Sequence, residues 1–223
     1  MATISQPLPM RARLRPKTLL FAFIGLMMAY VLYHNERFLI NPGDPVWRHY
    51  QPFKWWLLPH GLAGACALLL GPMQFSDRLR QRYLQLHRVV GWVYVVGALV
   101  LAPLGAYIQY FQERFGETRS FTMAATADAA LLMLTTGVAL WFVLRGKIPQ
   151  HRQWMTRSYA VALVFVEVRL IGGLTGWDNN VKAIETVVWT CLIFAVPLAD
   201  IVLQWQDFRR SKPASMKGRA AAA

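Results

Sequence analysis

The chain reads as an alternation. Six apolar runs, at about residues 18–34, 55–75, 88–111, 121–144, 154–175 and 183–205, are separated by loops, and every second loop is crowded with arginine and lysine. Most of the runs are near the roughly 20 residues that a helix needs to cross the hydrocarbon core, the first being the shortest. Backbone N–H and C=O groups find no water there, so each run has to satisfy them within itself, as a helix does. The pattern predicts an all-α integral membrane bundle of six transmembrane helices. Runs two to five form a four-helix core, with runs one and six flanking it.

Composition agrees on the solvent. Hydrophobic residues make up 56% of the chain and charged ones 16%, against roughly 25% charged in a soluble domain. The net charge of +13 would suggest nucleic acid in a soluble protein. Here the cations sit beside membrane segments, so orientation and anionic lipid account for them and a nucleic-acid partner is not expected. Cys66 and Cys191 fall inside apolar runs without Cys-x-x-Cys spacing and read as small core residues.

The basic loops also set the orientation. Arg11, Arg13, Arg15 and Lys17 precede the first run, while Arg78, Arg80, Arg82 and Arg88 join the second to the third. Arg145, Lys147, Arg152 and Arg157 join the fourth to the fifth, and Arg209, Arg210, Lys212, Lys217 and Arg219 follow the sixth. With six crossings these regions share one side, which predicts both termini in the cytoplasm of a bacterial inner membrane. The domain map is a basic cytoplasmic N-terminus over 1–17, a transmembrane domain over 18–205 and a disordered cytoplasmic tail over 206–223. The first run has basic residues before it, as a secretory signal has, but lacks a small-x-small cleavage site and reads as an uncleaved helix. A turn-rich loop around Asn41-Pro42-Gly43-Asp44-Pro45 is expected over the outer mouth of the bundle. Trp47, Trp55 and Trp56 fall at the outer interface, and Trp154 and Trp205 at the inner.

Three histidines are the chemical hints. His87 and His151 open the third and fifth segments at the cytoplasmic side. A shift of 64 positions superposes His87-Arg88 on His151-Arg152 and Ala98-Leu99-Val100 on Ala162-Leu163-Val164, a faint internal repeat of two helical hairpins. Steps of three and four from His87 lead through Gly91, Tyr94, Ala98, Leu101 and Gly105; from His151 they lead through Met155, Ser158, Ala162, Phe165 and Arg169. If these faces meet, two imidazoles can hold a haem b in the groove left by Gly91, with Arg88, Arg152 or Arg157 on its propionates. The competing reading is equally physical: interfacial histidine and arginine orient helices and bind lipid phosphate, and small residues let helices pack.

Elsewhere His60, Asp128, Glu167 and Arg169 lie at membrane depth toward the outer side. A charge at mid-bilayer costs about 2.5 to 3.5 kcal/mol on insertion scales, so partners are expected. The preferred pair is Asp128 with Arg169, leaving Glu167 to His60 or a water-filled cavity. The cluster reads either as a proton path or polar ligand site, or as a lock between the fourth and fifth segments. Pro103 and Pro197 interrupt the third and sixth. Phosphate-cradling glycine loops, nucleophile elbows, His-Glu-x-x-His helices and metal-spaced cysteines are missing from the sequence, which lowers the odds of a hydrolase, ATPase or zinc enzyme.

Several strings taken together, His60-Gly61-Leu62, Gly71-Pro72-Met73-Gln74-Phe75, Leu86-His87-Arg88 with Gly91 and Tyr94, His151-Arg152-Gln153-Trp154-Met155, Arg157-Ser158-Tyr159 and Arg169-Leu170, resemble a bacterial family of polytopic membrane proteins defined as a domain of unknown function of the 2306 type. That likeness covers roughly residues 55–172 and implies no particular reaction. A more distant likeness is to the di-haem cytochrome b superfamily. There His87 and His151 match one ligand pair, but the fourth segment lacks the histidine that a second haem would need. Two functional classes stay open. One is a b-type haem protein exchanging electrons with a quinone or a redox partner; the other is a non-catalytic component, either a small-solute or proton conduit or an assembly or sensor subunit.

Overall fold

The computed structural model of the chain describes residues 16–211 apart from 37, 39, 40 and 42, with the side chains of 16, 17 and 209–211 also left aside. The basic residues Arg11, Arg13, Arg15, Lys212, Lys217 and Arg219 therefore lie outside the described residues, as do the side chains of Lys17, Arg209 and Arg210. Among the described residues there are six long helices: α1 (Pro16–His34), α2 (Lys54–Gln74), α3 (Leu84–Gln112), α4 (Arg119–Leu144), α5 (Ile148–Thr175) and α6 (Val181–Ser211). Two short helices, Val46–Tyr50 and Asp77–Arg82, sit in the loops before α2 and α3. The last helix runs past the expected boundary at 205, since nothing in Gln206-Asp207-Phe208 breaks it.

Local chemistry explains where the helices start and stop. The Thr118 hydroxyl accepts the Phe121 N–H at 3.3 Å and opens α4. Gly176, at φ 71°, ends α5 in the left-handed region that a side chain would disfavour. Pro103 and Pro197 both fall inside helices, as expected. The histidine-bearing helices α3 and α5 each begin three residues before their histidine, and so begin 64 positions apart.

Packing follows membrane rules, with small residues inward and large ones outward. On α2, Ala63, Gly64, Ala67 and Gly71 are buried while Leu58, Leu62, Leu69 and Met73 are exposed. The α2 and α3 backbones come close at Gly97, where an added methyl would lie 3.0 Å from the Ala63 carbonyl oxygen. Successive helices α2 to α6 pack side by side in chain order, and a lighter contact of α2 with α5 closes a four-helix ring. This leaves α3 and α5 diagonally opposed. The first helix packs on α5, burying Ile24, Met27, Met28 and Val31. Leu26, Leu62 and Leu144, on three different helices, are each at least 70% exposed, as suits a surface that faces lipid along its long apolar helices.

The loop after α1 folds over the end of the bundle remote from the basic loops. Phe38 and Phe53 are buried, the Trp47 Nε1–H donates to the Phe38 carbonyl at 2.8 Å, and the Phe53 ring contacts Phe111 on α3. Glu36 in the same loop bonds Arg169 on α5. The loop thus reaches both diagonal helices through Glu36 and Phe53, while Asn41, Gly43 and Asp44 bond only within the loop.

Candidate functional site

At the basic end, the faces that lead down from His87 and His151 meet across the bundle. Two turns below the histidines the Tyr94 hydroxyl lies 2.8 Å from Ser158 Oγ, and Ser158 Oγ lies 2.7 Å from Thr136 Oγ1 on α4. All three residues are fully buried. Tyr94 and Ser158 are 64 residues apart, the same interval that separates the histidines. A buried hydroxyl left without a partner costs about 1–3 kcal/mol, so this chain of three defines how α3, α4 and α5 are rotated toward one another.

Above it, the two imidazoles are held differently. The His151 Nδ1–H donates to the Ala139 carbonyl at 2.9 Å. A carbonyl only accepts, so this bond fixes the tautomer and leaves the His151 Nε2 lone pair free. His87 lies at the same end of the bundle, three residues into the diagonal helix α3. Its Nδ1 is buried and has no hydrogen-bond partner. The Gln74 amide reaches over Gly91, where a methyl would lie 3.2 Å from its Oε1, and the Gln74 Nε2 is likewise buried and unpartnered. The Tyr159 ring covers Gly71, and its hydroxyl donates to the Leu68 carbonyl at 3.1 Å, fastening α5 to α2.

Among the expected propionate ligands, Arg88 is exposed and Arg152 is partly buried. Arg157 is committed elsewhere: its Nε donates to Asp200 Oδ1 at 2.8 Å and its guanidinium stacks on Trp154. Thr136 gave no sign in the sequence, being one threonine in an apolar run. Gln74 was visible only as part of the string Gly71-Pro72-Met73-Gln74-Phe75.

Of the four polar residues expected to cluster toward the other side, the preferred pair, Asp128 with Arg169, does not form. Arg169 bonds Glu36 in place of Asp128, because its long side chain, two turns from the end of α5, reaches up to the loop. Asp128 is buried, with Oδ1 unpartnered. The His60 Nδ1–H donates to the Leu101 carbonyl on α3 at 3.1 Å, with its ring against Gly105, where a methyl would stand 2.9 Å from Cε1. Glu167 is partly buried and lies near Cys191 of α6. Among the described residues no group of three or more histidine, cysteine, aspartate or glutamate side chains could hold a metal ion.

Residues 57–203, about two-thirds of the chain, match the model of a family described as predicted membrane protein (DUF2306). No curated protein and no solved structure matches.

Proposed function

The chain belongs to the DUF2306 family of predicted membrane proteins, and we propose that its four-helix core binds one b-type haem through His87 and His151. The observation that carries this reading is the pairing of one oriented imidazole with one unsatisfied imidazole on the diagonal helices. The His151 ring is tied at Nδ1 to a backbone carbonyl, the arrangement that orients a metal-bound histidine, and so presents Nε2. Across from it, the His87 ring has a buried nitrogen with nothing bonded to it.

The residues present suit a flat ligand in outline. Gly91 keeps the wall of α3 low, and what fills that space is Gln74, an unbranched side chain whose amide can swing aside. The Tyr94, Ser158 and Thr136 hydroxyls form the floor of the site. Arg88 and Arg152, one residue after each histidine, supply charge for carboxylates at the membrane surface. When bound, the haem supplies one-electron transfer. The protein's part is to orient the His151 ring, to withdraw Gln74 and to keep water out below Tyr94. The exchange partner is a quinone in the same leaflet or a second protein. On the basic-loop rule the site faces the cytoplasm of a bacterial inner membrane, with both termini on that side.

The other reading, a conduit through His60, Asp128, Glu167 and Arg169, finds less support because His60 bonds a backbone carbonyl and Arg169 bonds Glu36, and among the described residues no hydrogen bond joins any two of the four. The test is a reduced-minus-oxidised spectrum of protein purified in mild detergent from haem-sufficient cells. A b-type α-band is expected. A colourless preparation at normal yield would overturn the proposal.

A further inference from the structure

We propose that the corner formed by Trp141, Arg145 and Lys147 binds the phosphate of an anionic phospholipid. It lies at the end of α4, on the lipid-facing surface, and owes nothing to the haem reading. Gly146, at φ 69°, turns the chain back on itself, so the cations on either side of it share one indole. The Arg145 guanidinium carbon is 4.5 Å from the centroid of the Trp141 ring, and the Lys147 Nζ is 5.9 Å from it. Each contact is favourable by itself, but two positive charges held at one ring repel each other.

Nothing nearby in the sequence relieves that repulsion. From Ala129 to Val166 there is no acidic residue, and Asp200, at the same end of the bundle, is bonded to Arg157. Asp207 lines the same pocket as Arg157 and Asp200. Among the described residues, neither Arg145 nor Lys147 is in an ion pair, and we place their countercharge outside the chain. What surrounds the cations says which kind: Leu144 is 71% exposed, Ile148 46% and Trp141 itself 45%. A ligand with an anionic head and an apolar body satisfies both features, with its phosphate between Arg145 and Lys147 and its acyl chains along Leu144 and Ile148. A water-soluble phosphate meets only the first.

Native mass spectrometry of the whole chain in a neutral detergent tests this, titrating phosphatidylglycerol, phosphatidylcholine and glycerol phosphate in parallel. Phosphatidylglycerol is expected to be retained in preference to the other two. The R145Q/K147Q variant should weaken that retention about thirtyfold, since each cation near the membrane surface contributes about fivefold. The R78Q/R82Q variant, which removes equal charge from the same end, should stay near wild type. If the glutamine pair does not fold, Trp141→Leu, which keeps an apolar surface but removes the platform, should weaken retention about fivefold. Equal losses in the two double variants would overturn the site in favour of diffuse surface charge. Equal retention of phosphatidylcholine or of glycerol phosphate would overturn the lipid assignment, as would an unchanged Trp141→Leu protein.

Discussion

At the basic end, His151 gives its Nδ1 proton to a carbonyl on α4, and His87 opens the diagonal helix α3 at the same end. At the other end His60 also gives its Nδ1 proton to a carbonyl, on α3, but its ring rests against Gly105. The same local chemistry therefore produces two outcomes. Where the polar side chains come from diagonal helices they converge on the bundle axis, as Tyr94 and Ser158 do. Where a long side chain lies near a helix end it leaves the axis, as Arg169 does in reaching Glu36.

The contrast is broken or upheld first by haem content. His87→Ala and His151→Ala should each abolish the α-band at normal protein yield, whereas His60→Ala should keep it. Equal loss in all three would mean that His60 belongs to the same site. A smaller effect is expected at the α2–α5 junction. Gly71→Leu drives a branched side chain into the Tyr159 ring, and should destabilise the bundle by about 1–3 kcal/mol in denaturant unfolding. Smaller again is Tyr94→Phe, which removes one hydroxyl but leaves the Ser158–Thr136 bond. A loss of about 1 kcal/mol is expected, read as a lowered midpoint of thermal unfolding. The weakest effect separates the outer residues from one another. In a double-mutant cycle, Asp128→Asn and Arg169→Gln should add to within about 0.5 kcal/mol, while Arg169→Gln and Glu36→Gln should couple. Because Arg169 is about half exposed, that coupling should be below about 1 kcal/mol.

Much of the fold was legible because lipid imposes it. Length and apolarity located all six helices, and the count of basic residues gathered their loops at one end. Rotation about the helix axes was partly legible too: steps of three and four from His87 and His151 named Tyr94 and Ser158 before their contact was known. Thr136 was not legible, since a threonine in an apolar run can bond its own helix as easily as another. Its neighbour Thr135 does so, to the Leu131 carbonyl. The partner of Arg169 was missed for a related reason. Helical spacing ranks neighbours on one helix and its packed face, whereas Glu36 lies in a loop 133 residues away.

The position of α1 bears on how the chain assembles. Each long helix from α3 to α6 touches the one before it, so each can dock as soon as it is inserted, and the contacts it makes are local in sequence. The first helix is different: its surface partner is α5, the fifth of the six to be made. It enters the bilayer early and stays there without its mate while three more segments are threaded. Its Met27, Met28 and Val31, buried in the finished bundle, therefore wait for α5, and α1 docks only after the ring it leans on has closed.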